Sequence, residues 1–140
     1  MVNFPLHKPK NMSLGPLETE IVEILWRLGA TSATAVHQQI LADINRELTY
    51  SSVSTVLKRL EKKGWVSCSR ENRVHIWRAT VSQQQATILK AQEHLHSFLA
   101  VGSPDIVAAF ADTLDDSSLA QLDEIAQKIQ AVRDARETQP

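Results

Sequence analysis

The spacing of apolar residues changes near Gly64, and this change limits the folds open to the chain. Before Gly64, apolar residues recur every three or four positions in three segments, as in amphipathic helices. After it, Val66 and Cys68 and then Val74 and Ile76 alternate with other residues around a polar turn, as in a β-hairpin. Three helices followed by a hairpin predict a mainly α fold with a small β-hairpin wing, the element order of a winged helix-turn-helix domain.

Residues that start and stop helices place the three predicted segments. Pro16 suits the first position of a helix, Ser32 and Thr49 can cap the next two, and Gly64 can end the third. The predicted apolar faces of the three helices are Leu17, Ile21, Ile24, Leu25 and Leu28; Ala33, Val36, Ile40, Leu41 and Ile44; and Val53, Val56, Leu57 and Leu60.

The chain divides into three predicted parts. Residues 1–13 contain two prolines and no periodic pattern, which predicts a flexible N-terminal arm. Residues 14–81 hold the three helices and the hairpin. Residues 82–140 have a capping box that starts at Ser82 and a break before Pro104, so we expect further helices there.

Charge is distributed unevenly along the sequence. Met1–Thr80 holds 11 basic and 7 acidic residues, whereas Val81–Pro140 holds 4 and 9, and the two sum to the net charge of −1. Within Arg46–Arg78 there are 8 basic and 3 acidic residues. A basic segment of this kind is typical of nucleic-acid binding, but a solvated surface face gives the same pattern, and charge alone favours the latter.

The third helix has an unusual polar face. Short hydroxyl side chains are only moderate helix formers, but they let a helix approach base edges in the major groove. The predicted base contacts are Ser51, Ser52, Ser54 and Thr55. The predicted phosphate contacts are Thr49 and Tyr50 at the start of the helix and Lys58, Arg59 and Lys62 further along it. Taken alone, the segment could also be a polar surface helix.

The predicted hairpin turn carries a second group of polar and cationic side chains. Arg70, Asn72 and Arg73 lie at or beside its tip, where they could contact the DNA backbone or the minor groove. Asn72 tolerates the left-handed conformation that such a turn requires. Two cationic elements beside one three-helix core strengthen the prediction that double-stranded DNA is the partner.

The stretch Leu14–Ser82 resembles the penicillinase-repressor family, the BlaI/MecI/CopY group of bacterial repressors. The residues that carry the resemblance are Leu17, Glu20, Ile21, Leu25 and Trp26, the run Tyr50–Gly64, and the run Asn72–Arg78. The resemblance implies a transcriptional repressor that binds a palindromic operator as a homodimer. It also implies that bases are contacted from the positions of the four hydroxyl residues above.

The resemblance further implies that residues 82–140 are a helical dimerisation region. Three amphipathic helices need a surface to pack against, and packing on the chain's own domain is the alternative. The predicted interface residues are Ile88, Leu95, Phe98, Leu99, Ile106, Val107, Phe110, Leu119, Leu122, Ile125 and Ile129.

The sequence departs from the family at two points that concern the inducing signal. Copper-responsive members carry C-terminal cysteines, whereas this chain has none after Cys68. Members that respond to β-lactams are cut at an Asn-Phe bond, and here Ala109 precedes Phe110. A regulatory protease, a small molecule and redox change at Cys68 all remain open as signals.

Other functions find little support in the sequence. No apolar run approaches the ~20 residues of a membrane span and no signal peptide is evident, so we expect a cytoplasmic protein. His94 and His96 diverge on a helix and cannot share a metal, and no catalytic motif is present, so we expect neither cofactor nor enzyme activity. A winged helix that binds only proteins is the remaining alternative. Trp26 and Trp77 are expected to anchor the hairpin, and Trp65 could pack in the core or stack on bases.

Overall fold

The computed structural model describes residues 4–139, which form six helices and one two-stranded sheet. The elements in chain order are α1 (Pro16–Leu28), α2 (Ala33–Leu41), α3 (Tyr50–Lys63), β1 (Val66–Glu71), β2 (Val74–Ala79), α4 (Gln83–Val101), α5 (Pro104–Ala111) and α6 (Asp116–Glu137). The predicted mainly α fold with a hairpin wing is confirmed. The chain divides into two compact units, Met1–Leu95 and His96–Pro140.

The predicted starts of α2 and α3 and the predicted end of α3 are also confirmed. The Ser32 hydroxyl accepts a hydrogen bond from Ala35 N at 3.2 Å, and the Thr49 hydroxyl accepts one from Ser52 N at 3.1 Å. Gly64 ends α3 with a φ of 88°, a left-handed conformation that glycine adopts without steric cost. A Cβ at Gly64 would lie 3.1 Å from the Pro9 backbone, so the position also needs a small residue.

One apolar core joins α1, α2, α3, the hairpin and the start of α4. All four predicted inward residues of α3 are buried, as are Trp65 and Trp77. Trp65 therefore belongs to the core and offers no base-stacking surface. The prediction was wrong for Leu28, Leu41 and Ile44, which are exposed, because α1 and α2 end at or before these positions and the chain turns away from the core.

The hairpin pairs β1 and β2 antiparallel in a continuous register from Val66↔Ala79 to Glu71↔Val74. Its two turn residues, Asn72 and Arg73, have φ values of 50° and 68°. Positive φ at both positions matches the right-handed twist of two paired strands, as predicted for Asn72.

A second pairing attaches the hairpin to the helical core. Thr31 and Trp77 exchange backbone hydrogen bonds of 3.0 and 2.8 Å, so β2 is held against the chain just before α2. Trp26 in α1 donates its indole N–H to Val81 O at 2.8 Å, beyond the end of β2. Trp26 and Trp77 therefore anchor the hairpin, as the sequence predicted.

The segment before α1 is packed, contrary to the predicted flexible arm. Among its described residues, Pro5 and Pro9 are buried. Asn11 donates its backbone N–H to Lys63 O at 3.2 Å and accepts the Trp65 indole N–H at 2.8 Å. The lack of periodicity did not reveal this packing because single buried prolines and hydrogen bonds to the backbone of an extended segment need no periodic pattern. Residues 1–3 lie outside the described part of the chain.

The first turns of α4 belong to the winged helix core. Ser82 and Gln85 form the predicted capping box, with hydrogen bonds of 2.9 and 3.1 Å. Ala86 and Leu89 are fully or almost fully buried, whereas Ile88 is only half-buried. The core of the first unit therefore continues past residue 81, where the sequence predicted its end.

The second unit has no core of its own within its described residues, 96–139. None of these residues is buried, and ten large apolar residues are exposed, retaining between 37% and 76% of their accessible surface. They are Phe98, Leu99, Val101, Ile106, Phe110, Leu119, Leu122, Ile125, Ile129 and Val132. No helix across residues 4–139 combines the length and apolar character needed to cross a membrane.

Two isoleucines four residues apart provide a matched test of the observed core. Ile40 is 3% exposed and Ile44 is 94% exposed. We expect Ile40→Ala to lower the free energy of unfolding by about 2–5 kcal/mol, because it removes buried methyl groups and leaves a cavity. Ile44→Ala should change it by no more than about 0.5 kcal/mol. Urea denaturation measures both, and equal losses would contradict the observed end of α2.

Candidate nucleic-acid interface

The buried face of α3 determines which of its side chains face outward. Successive residues are about 100° apart around a helix axis. The direction opposite the four buried residues is occupied by Ser51, Thr55, Lys58 and Lys62, and all four are exposed. Hydroxyls therefore lie in the first two turns of α3 and cations in the last two, on one continuous strip.

The other predicted α3 residues lie on the two flanks of this strip. Ser52 is half-buried, and its hydroxyl lies 2.9 Å from the Thr49 hydroxyl, so both groups take part in the N-cap. Arg59 lies on the same flank as Ser52, towards Glu18 of α1, whose pKa its charge helps to lower. Ser54 lies on the opposite flank, towards the hairpin.

A concave surface of about 370 Å³ lies between α3, the hairpin and the start of α2. We call it the wing cleft, and it is lined by Ser32, Ala33, Thr34, Tyr50, Ser54, Lys58, Arg73, Val74, His75 and Trp77. Four predicted site residues meet here: Tyr50, Ser54 and Lys58 from α3 and Arg73 from the turn.

The wing cleft also contains polar residues that the sequence analysis did not assign to the site. Ser32 and Thr34 lie at the start of α2, where unpaired backbone N–H groups give a helix end a partial positive charge. His75 reaches the wing cleft from β2. The Ser32 cap marks the start of α2 in the sequence, and this was the signal that could have indicated Thr34 as a site residue.

Ion pairs separate the basic residues of the Arg46–Arg78 segment into two groups. Within residues 4–139, three of them pair with carboxylates: Arg46 with Glu20 at 2.8 Å, Lys63 with Glu18 at 2.9 Å, and Arg78 with Glu71 at 3.2 Å. The five without an ion pair in this part of the chain are Lys58, Arg59, Lys62, Arg70 and Arg73. These five are the cations that the sequence predicted as phosphate contacts, so their charge is available to an anionic partner.

The Glu18–Lys63 pair joins the start of α1 to the end of α3. Burial raises the pKa of Glu18, but hydrogen bonds from Gly15 N–H and Lys63 Nζ, together with the Lys63 charge, bring the pKa below its ordinary value. Both hydrogen bonds are 2.9 Å long and end on Oε1. The buried Oε2 has no partner among the described residues.

The face of the hairpin that lies towards α3 carries Cys68, Arg70, His75 and Trp77 in cross-strand pairs. The Cys68 Sγ lies 3.4 Å from His75 Nδ1. Burial, and then the charge of nearby Glu61, raises the pKa of the Cys68 thiol, so the thiol is protonated at neutral pH and weakly nucleophilic. Nowhere in residues 4–139 do three or more His, Cys, Asp or Glu side chains come together as a metal site.

Residues 14–131 match the family model described as the penicillinase repressor. The chain belongs to the penicillinase repressor family. The matched range contains the winged helix domain and most of the helical tail, so the family resemblance predicted from the sequence is confirmed.

Relatives of this family member are transcriptional regulators. The transcriptional regulator BlaI of Mycobacterium tuberculosis is 40% identical over 63 residues, which is 44% of this chain and 44% of that protein. The chain thus spans less than half the length of the curated relative it matches.

Two solved structures are similar at lower identity. The solution structure of the DNA-binding domain of the repressor BlaI is 19% identical, with a TM-score of 0.47 over 56% of this chain and 93% of that one. The YusO protein from Bacillus subtilis is also 19% identical, with a TM-score of 0.45 over 86% of this chain and 77% of that one.

The lowered pKa of Glu18 predicts a pH dependence of stability. The folded protein holds the proton less tightly than the unfolded chain, so this stabilisation is present above the unfolded pKa and is lost as pH falls through the folded pKa. We expect the difference in free energy of unfolding between the wild type and Glu18→Gln to narrow between about pH 6 and about pH 3. Urea denaturation across this range measures it.

The control for this prediction is Glu23→Gln, an exposed carboxylate in α1 that is outside the three ion pairs. Its stability should follow that of the wild type across the range. If the difference in free energy of unfolding between the wild type and Glu18→Gln were constant with pH, the charge of Glu18 would not stabilise the folded protein.

Proposed function

We propose that this protein is a transcriptional repressor that binds a palindromic operator in double-stranded DNA as a homodimer and so blocks transcription. Its α3 would lie in the major groove, and the hairpin would contact the flanking backbone or minor groove. The family membership supports the class of function. The dimer, the operator symmetry and the residue roles are argued from this chain's own surfaces.

The observation that carries the proposal is the sorting of charge around α3. The ion pairs with Glu18, Glu20 and Glu71 involve cations outside the predicted contact set, and the five predicted cations keep their charge free within the described residues. Phosphate neutralisation by such cations supplies most of the affinity of non-specific DNA binding. A surface helix with no partner would not require this separation.

Base recognition is assigned to the outward hydroxyls of α3. Ser51 and Thr55 lie at the centre of the exposed strip, and Ser54 lies at the rim of the wing cleft. A hydroxyl can donate or accept at a base edge, and a threonine methyl can contact a thymine methyl. Ser52 and Thr49 would contribute mainly by capping α3, since their hydroxyls are hydrogen-bonded to each other.

The second unit is assigned to dimerisation. None of its described apolar residues is fully buried within the chain, and Leu122, Ile125, Ile129 and Val132 recur at three- and four-residue intervals along α6. This spacing forms the apolar seam of paired helices. A second copy would cover this seam, and Val107 of the same unit and Ile88 of the first unit are also proposed to contact the second copy. Two copies of α3 would then contact half-sites about 34 Å apart, or a multiple of that distance.

Salt dependence tests the proposed DNA contacts. We expect Lys58→Ala and Arg73→Ala each to flatten the slope of log affinity against log salt concentration by about 1, because each removes one phosphate contact. Fluorescence anisotropy with the full chain measures this on an operator duplex recovered from genomic fragments that the protein retains.

Lys90→Ala is the control for the salt experiment, since it removes the same charge from an exposed position on α4. Its slope should equal that of the wild type. If neither Lys58→Ala nor Arg73→Ala changed the slope, the proposed phosphate contacts would be contradicted. Absence of salt-dependent duplex binding by the wild type would overturn the function itself and favour a protein-interaction module.

A charge placed on the α6 seam tests the dimer. Ile125→Glu should convert the full chain from dimer to monomer, because it would bury a carboxylate without a partner in the interface. Gln127→Glu adds the same charge about 200° around the helix and should leave a dimer. Sedimentation velocity measures both. A monomeric wild type, or a dimeric Ile125→Glu variant, would contradict the assignment.

A further inference from the structure

His37, a half-buried residue of α2, contacts the chain just before α3 and the first residue of α3 itself. Its Nε2 lies 2.6 Å from the Leu48 carbonyl oxygen. Its ring meets the Tyr50 ring edge-on, with the centroids 6.1 Å apart and the planes at 78°. One imidazole therefore joins α2 to the start of the helix that carries the proposed base contacts.

The chemistry of the His37 contact defines the state of the ring. A carbonyl oxygen only accepts hydrogen bonds, so Nε2 must carry the hydrogen, as in the Nε2–H tautomer or the imidazolium. No other hydrogen bond to the Leu48 carbonyl is present among residues 4–139. Loss of the imidazole would leave this part-buried acceptor without a protein donor.

The eight residues between α2 and α3, 42–49, are held to the rest of the domain at separate points. Arg46 binds the Glu20 carboxylate of α1 through two hydrogen bonds of 2.8 and 2.9 Å. A side chain of α2 also binds this connection, through the hydrogen bond between His37 Nε2 and the Leu48 carbonyl oxygen. Arg46 therefore orients the connection towards α1, and His37 orients it towards α2.

His37 lies between two residues that line the wing cleft, Thr34 on its own helix and Tyr50, which its ring contacts. Thr34 lies one turn before His37 on α2, and Tyr50 is the half-exposed first residue of α3. The position of Tyr50 relative to Thr34 sets the width of the wing cleft between the two helix starts. The contact between the His37 and Tyr50 rings also sets where the first turn of α3, with Ser51, lies relative to α2.

We propose that His37 is a positioning residue for DNA recognition, which acts through the Leu48 carbonyl and the Tyr50 ring to hold the first turn of α3 in register with the start of α2. The inference rests on the proposed function. His37 does not line the wing cleft, so its loss misplaces the hydroxyls that recognise bases and leaves the cations that neutralise phosphates in place.

The test uses the full chain with His37→Leu and His37→Gln. Leucine keeps a side chain of similar size and removes the donor. The glutamine side chain has a similar reach, and its amide can donate to the Leu48 carbonyl. Affinity is measured for the operator duplex and for a random duplex of equal length at several salt concentrations, and the melting temperature is recorded for each variant. Gln38→Leu, at the neighbouring exposed position of α2, is the matched control.

We expect His37→Leu to weaken operator binding by about tenfold, the loss that follows when one base contact is misplaced. Its affinity for the random duplex should stay within about twofold, and its salt slope should not change, since no lysine or arginine contact to a phosphate is lost. His37→Gln should recover most of the operator affinity. Gln38→Leu should behave as the wild type on both duplexes.

Two results would overturn the inference alone. In the first, the wild type prefers the operator and His37→Leu prefers it equally. In the second, His37→Leu loses affinity for both duplexes in parallel with its melting temperature and glutamine gives no rescue, which is the behaviour of a merely structural residue. A wild type that does not distinguish the operator from the random duplex would overturn the proposed function, and the inference with it.

Discussion

The packing of four side chains of α3 into the core is the constraint on which the rest of the surface depends. Val53, Val56, Leu57 and Leu60 are buried, so α3 cannot rotate about its axis without exposing them. Their burial turns the hydroxyl and lysine strip away from the core. The hydrophobic packing of one face of α3 thus decides which of its side chains are presented to a partner.

Three carboxylates form ion pairs with basic residues around α3. Glu18 and Glu20 of α1 bind Lys63 at the end of α3 and Arg46 just before its start, while Glu71 binds Arg78 within the hairpin. These three carboxylates therefore pair with cations around α3 and leave the cations of its outward face free. The chain can have a net charge of −1 and still a basic local surface because Val81–Pro140 carries 9 acidic residues against 4 basic ones.

Local sequence signals predicted most of the fold and part of the candidate site. The caps Ser32 and Thr49, the stop at Gly64 and the left-handed turn residue Asn72 depend on near neighbours, and all four were predicted. The packed N-terminal segment and the buried Leu89 depend on distant residues, and no short-range pattern encodes them. Periodicity likewise could not show that Ile44 lies beyond the end of α2.

The same limit applies to the site. The outward placement of Thr55 and Lys58 follows from helical spacing, so the sequence could predict it. The hydrogen bond between the Ser52 and Thr49 hydroxyls occupies one predicted base contact, and Thr34 and His75 line the wing cleft only through tertiary contacts. A linear pattern gives the residues of one element, whereas a concave surface is built from three.

The bare apolar seam of the second unit has a consequence for how such a regulator responds to its own abundance. If a second copy is what covers the seam, the tail gains its buried surface only on association, and the population of the binding-competent form follows second-order mass action. At low abundance, occupancy of a target site would then rise with the square of the chain concentration. Any event that removes subunits would weaken repression more steeply than in proportion, without altering a single contact to DNA.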